Sequence, residues 1–159
     1  MNKLFSMLLL AVLLMAGGLA HAISIPDGED AKNGPAVWLV PVYNNSGSTM
    51  DVGDVAVWDI SSSTGDVSNY VTTTTTAGTS IVAGIVYRND IAAGDTGTIA
   101  VHGVVAVDMA SGGNTVNGPV CSSATAGSGM SCTDDDKAFG IVTTVTSSGS
   151  ANVYVKGLN

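Results

Sequence analysis

The sequence predicts an all-β protein, and three observations carry that prediction. Beyond residue 22 the chain keeps only two leucines (Leu39 and Leu158), one glutamate (Glu29) and no glutamine, so strong helix formers are nearly absent. Val, Ile, Thr, Ser and Gly take their place, the composition of strands joined by tight turns. Seven strand-like runs then recur at short spacing, which fits a single antiparallel β-sandwich or barrel of about seven strands.

Residues 1–22 are expected to be a cleavable secretory signal. Asn2 and Lys3 supply a short positive start, an apolar run extends from Leu4 to Ala16, and Ala20-His21-Ala22 is the small-x-small pattern of a cleavage site. A spanning helix needs about 20 apolar residues, whereas Gly17 and Gly18 interrupt this shorter run. Cleavage places the mature amino terminus at Ile23 and the product outside the cytoplasm: secreted, on the cell surface, or in a periplasm. The mature chain of 137 residues is the size of one domain. It carries thirteen acidic and four basic side chains, a net charge of −9. Such a chain is repelled by nucleic-acid phosphates and by anionic lipid, so neither is an expected partner, and no membrane span remains after cleavage.

Residues 23–35, with Pro26, Gly28, Gly34 and Pro35 among acidic side chains, read as an extended arm that can lie on a neighbouring subunit. The β domain then occupies residues 36–159. Its runs are 36–43, 54–59, 67–76, 80–87, 98–108, 138–146 and 151–156, with Asn44-Asn45-Ser46-Gly47, Ser63-Thr64-Gly65-Asp66, Ala93-Gly94-Asp95 and Ser147-Ser148-Gly149 as turns. Pro41 marks the first run as an edge strand or a bulged one. Ile99 and Val101 alternate with Ala100 and His102, and Val153 and Val155 with Tyr154 and Lys156, so each set reads as a strand with one buried face. Gly84-Ile85-Val86 with Val101-His102-Gly103 resembles Gly140-Ile141-Val142 with Val155-Lys156-Gly157. Both sets read as hairpins, related either by an internal repeat or by shared turn chemistry.

Cys121 and Cys132 lie 11 residues apart across a Ser-, Ala- and Gly-rich loop, and an even pair in an exported chain reads as a disulfide. No Cys-x-x-Cys is present and His102 is the only mature histidine, so metal and redox readings of the pair are weaker. His102 reads as a strand-face residue, no Gly-x-Ser-x-Gly elbow exists, and no cofactor motif is found; the chain is not expected to be an enzyme. Asp134, Asp135 and Asp136 are a weak Ca²⁺ candidate that lacks EF-hand spacing, against a solvated acidic loop. Asn44-Asn45-Ser46 is formally a glycosylation sequon. Trp38, Trp58, Tyr43, Tyr70, Tyr87 and Tyr154 offer either a sugar-stacking platform or ordinary core and interface anchors.

Val52-Gly53-Asp54-Val55-Ala56-Val57-Trp58-Asp59, Ala83-Gly84-Ile85-Val86 and the stretch from Asp90 to Val105, with its Ile-x-x-Gly-x-x-Gly turn leading into Val-x-Gly-Val, resemble small β proteins that decorate or cement phage capsids. The resemblance covers roughly residues 52–107 and implies a β-sandwich or barrel that binds its own kind or a lattice. The secretory signal, the cysteine pair and its Ser/Gly-rich loop depart from that family, and no site residues carry over. The expected function is therefore a secreted structural protein that self-assembles as a filament, coat or surface lattice. The alternatives are a virion decoration protein and a secreted glycan- or surface-binding module, the last of which a solvent-exposed row of aromatics would favour.

Overall fold

The computed structural model describes residues 36–61, 69–110, 114–147 and 149–156. The signal segment 1–22 and the arm 23–35 lie outside the described residues. Nine strands form, in chain order β1 (Trp38–Asn44), β2 (Val55–Trp58), β3 (Tyr70–Thr72), β4 (Val82–Val86), β5 (Thr96–Asp108), β6 (Pro119–Ser122), β7 (Gly129–Ser131), β8 (Gly140–Ser147) and β9 (Ser150–Val155). All seven expected runs contain a strand. The two additional strands, β6 and β7, form a hairpin within the cysteine segment. Their brevity and small side chains conceal any alternation, and Val120, Cys121 and Ser122 are all buried in succession.

Hydrogen bonding runs β1-β3-β2-β4-β5 and returns from β5 to β1, which closes a five-stranded barrel. The expected all-antiparallel arrangement is corrected at one pair, because β1 and β3 run parallel (Tyr43↔Tyr70, Asn44↔Val71). The reason is topological: alternating directions cannot be carried round a closed ring with an odd number of strands. The second sheet repeats the arrangement. It runs β5-β9-β8-β6-β7, and a parallel bridge, Met109↔Gly129, brings β7 back to the end of β5. Ala110 N–H donates to Gly129 O at 2.8 Å there, so the outer edge of β7 is covered.

The thirteen-residue β5 belongs to both halves. Its first part faces the barrel interior through Ile99 and Val101, which pack with Val42, Met50, Val86 and Ile91. Ala100 points the other way, beside Ile85 and Val55, onto a second core of Val105, Val107, Val142 and Val153. Each fully buried Ile or Val contributes about 2 kcal/mol by leaving water. The single buried face expected for β9 is present, with Val153 and Val155 buried and Tyr154 half-buried, whereas in β5 the expectation is corrected: Ala100 is as buried as Ile99 and Val101, because the strand has a core on each side there.

The paired hairpins also exist, β4 with β5 (Ile85↔Ala100) and β8 with β9 (Gly140↔Val155). Their glycines have a common cause: a Cβ on Gly84 would sit 2.5 Å from the Ala100 carbonyl oxygen, and one on Gly140 would sit 2.7 Å from that of Tyr154. Pro41 is accommodated without a free edge strand. β1 pairs with β5 along its length and with β3 only at its end. Tyr43 N–H donates to Asn69 O at 2.8 Å, so the nitrogen of Pro41, two residues earlier, faces the same side before β3 begins to pair. No ladder bond is lost. A bulge does occur in the β1–β5 ladder, but beside Trp38 and Leu39, where Val101 of β5 is the extra residue, rather than at the proline.

Candidate functional site: an aromatic row on the sheet surface

That bulge decides where Trp38 points. Strict alternation would place Trp38 on the side of Val40 and Val42, which pack into the barrel. The register shift pairs Trp38 with His102 while Leu39 already pairs with Ala100, and the indole emerges on the surface, 63% exposed. His102 precedes Gly103, whose φ of +109° lets the chain turn from one half to the other. A Cβ on Gly103 would meet Ala36 O and Val37 Cα at 2.9 Å, so the glycine also seats the segment leading into Trp38.

Three rings therefore line up across β1, β5 and β9. The indole of Trp38 and the imidazole of His102 have centroids 4.8 Å apart, tilted by 36°. His102 and Tyr154 are 5.3 Å apart, edge to face. The Tyr154 hydroxyl lies 3.3 Å from His102 Nε2, with the donor set by the tautomer of the ring. This contact holds the imidazole between its neighbours and leaves the outer face of Trp38 to solvent. The other aromatic residues divide: Trp58 packs on the barrel core, Tyr87 on the second core, and Tyr43 meets Tyr70 edge to face at 5.0 Å. That last pair borders a shallow groove of about 290 Å³ with Pro41, Asn69 and Thr96.

Cys121 and Cys132 are joined, with Cα atoms 5.9 Å apart, across β6 and β7. Asp134, Asp135 and Asp136 are exposed; the Asp134 carboxylate accepts from Asp136 N–H at 3.2 Å and meets Lys137 Nζ at 3.4 Å. Among the described residues no three His, Cys, Asp or Glu side chains converge as metal ligands. The sequon has a structural use. Asn44 is fully buried, its amide donates to Ile91 O (2.7 Å) and Ser48 O (2.9 Å), and its Oδ1 accepts from Ser46 N–H (2.9 Å) and Oγ (2.6 Å). An amide so engaged is closed to a glycosyl donor.

An acidic group that sequence reading passed over surrounds Asp54. Burial, with the charges of Asp51, Asp108 and Asp90 adding to it, pushes its carboxyl up to about 6, although Asp51 N–H donates to it at 2.9 Å. Asp108 is raised as well, by burial and then by Asp51. Asp51 and Asp54 share the turn before β2, and the tertiary fold brings Asp90 and Asp108 to them from the segment before β5 and from its end. Among the described residues no helix is long and apolar enough to cross a membrane.

No protein-family model matches the sequence, and no curated protein matches it. Solved structures do match the fold. The head fiber gp8.5 N base of bacteriophage phi29 is similar at a TM-score of 0.54 and 15% identity, over 75% of this chain and 95% of that one. The capsid of the Myoviridae phage XM1 contains a chain similar at a TM-score of 0.55 and 12% identity, over 76% of this chain and 83% of that one. The resemblance to phage head decoration proteins carried by residues 52–107 therefore extends, as a likeness of fold, to about three quarters of the chain.

Proposed function

We propose that the mature chain is an exported structural subunit that builds or decorates an ordered particle surface through contacts with copies of itself. The observation that carries this reading is the likeness in fold to two structural components of phage heads, one of them matched over 95% of its length. The sites found agree with it. The interior is filled largely by Val and Ile side chains, the one disulfide ties a hairpin, and the half-buried His102 is held by two aromatic rings rather than by a nucleophile. Export is supported by the charged start, apolar run and Ala20-His21-Ala22 pattern, and by a cysteine pair set at bonding distance. The arm 23–35 contributes to the contact between subunits, since its Pro, Gly and acidic residues supply too little apolar surface to fold alone.

The test is to express the full chain in an export-competent host and to study the released product by intact mass, light scattering and negative-stain microscopy. The expected product begins at Ile23 and forms oligomers or ordered arrays that grow with concentration. A product that stays monomeric at every concentration overturns self-association. One that retains Met1 in the membrane overturns export.

A further inference from the structure

We propose that Trp38, His102 and Tyr154 form a binding platform for uncharged pyranose sugars, independent of the assembly reading above. Four features of the row point to that ligand. First, the indole of Trp38 is 63% exposed and, among the described residues, its one ring contact is the 4.8 Å approach of His102, so much of its surface is open to the C–H face of a sugar ring. Second, the bulge at Trp38/Leu39 turns this side chain out of the barrel alternation, and a bulge that re-aims a large apolar side chain into water is a common accompaniment of binding sites.

Third, the row carries polar groups beside the indole. The Tyr154 hydroxyl and His102 Nε2 engage each other at 3.3 Å, which leaves His102 Nδ1 without a protein partner among the described residues. Whichever tautomer is present, Nδ1 and the remaining lone pair or proton of the phenol offer one donor and one acceptor to a ligand. Adjacent ring centroids are 4.8 Å and 5.3 Å apart, so the row crosses three neighbouring strands, with the Tyr154 ring turned edge to face against His102. A rigid β scaffold holds it and leaves little ordering for the ligand to drive.

Fourth, charge selects among sugars. The row contains no carboxylate, and the chain as a whole carries a net charge of −8, which disfavours anionic polysaccharide. On β8 the residue opposite Tyr154 is the half-buried Ile141, which borders the row with a small apolar rim rather than with charge.

The exported product of the full chain is titrated with cellohexaose, maltohexaose, chitohexaose and, as the acidic control, a hexamer of galacturonic acid, following tryptophan emission and heat. At least one neutral oligomer is expected to give saturable binding with Kd below about 10 mM. The emission change should persist in Trp58→Phe, since Trp58 lies on the barrel core. Trp38→Ala should weaken binding about tenfold or more, and Trp38→Phe by less, because a smaller ring keeps part of the face. The fold of each variant is checked by circular dichroism and thermal melting. Absence of saturation by every neutral oligomer overturns the proposal, as does equal affinity of Trp38→Ala, or tighter binding of the acidic hexamer. A Trp38→Ala variant that binds sugar as before but loses its oligomeric mass assigns the row to subunit contact instead.

Discussion

Replacing Asn44 by aspartate preserves the outline of the side chain and changes only what it offers its surroundings. In the native protein this fully buried amide makes four hydrogen bonds, donating to Ile91 O and Ser48 O and accepting from Ser46 N–H and Oγ. It thereby fastens the turn after β1 to the segment that precedes β5. Aspartate retains the two accepted bonds and loses the donors, so two carbonyls are left facing an oxygen. A buried acceptor without a partner costs about 1 to 3 kcal/mol. The carboxyl can relieve one carbonyl by keeping its proton, which burial favours. The net loss is then about 3 kcal/mol at pH 7, and with a urea slope of about 2 kcal/mol per molar the midpoint falls by about 1.5 M. The sign of the pH dependence follows from a folded pKa raised above the unfolded value: the variant recovers stability as pH falls toward 4, where the carboxylate in the unfolded chain is also protonated (about 3.9). Urea unfolding of wild type and Asn44→Asp at pH 7 and pH 4, followed by far-ultraviolet circular dichroism, makes the test. A midpoint at pH 7 within about 0.3 M of wild type, or a deficit that does not shrink at pH 4, would refute the reasoning.

Asp54→Asn should stabilise the protein above pH 6, because the native carboxyl, raised from 3.8 to about 6, loses stability as pH climbs through that window and keeps a constant deficit beyond it. The group is half-exposed, so after screening by solvent the gain is about 1 kcal/mol at pH 7 and vanishes near pH 4; thermal melts at the two pH values measure it. Mutating Cys121 and Cys132 together to alanine should lower stability by about 2 to 3 kcal/mol without unfolding the chain, since the hairpin keeps Val120↔Ser131, Cys121↔Met130 and Ser122↔Gly129 in register; loss of a cooperative urea transition would contradict this. Gly103→Ala forces a side chain onto a φ of +109° and against Ala36 and Val37, and should cost about 2 to 4 kcal/mol and shift the emission of Trp38. Production in a glycosylating host should leave Asn44 without glycan, as read by intact mass.

The sequence by itself determined the class of this fold and most of its strands. The near absence of Leu, Glu and Gln after residue 22 removes the helix option, and the period-two burial of Val153 and Val155 is written in residue type alone, whereas Ala100 is buried between Ile99 and Val101 only because the second core packs on that side. The disulfide was legible because two cysteines admit one pairing. The hairpin of β6 and β7 was not, because strands of four and three small residues, buried through long-range neighbours, carry no alternation to read. The parallel pairing of β1 with β3 arises only when five strands close into a ring, a constraint on the whole sheet and on no local stretch. The same holds for the surface. Trp38, His102 and Tyr154 are separated by many residues, and a one-residue bulge decides whether the indole fills the barrel or faces water. Local chemistry sets which segments become strands, but register and closure are set by the sum of many distant contacts, and those alone place side chains together.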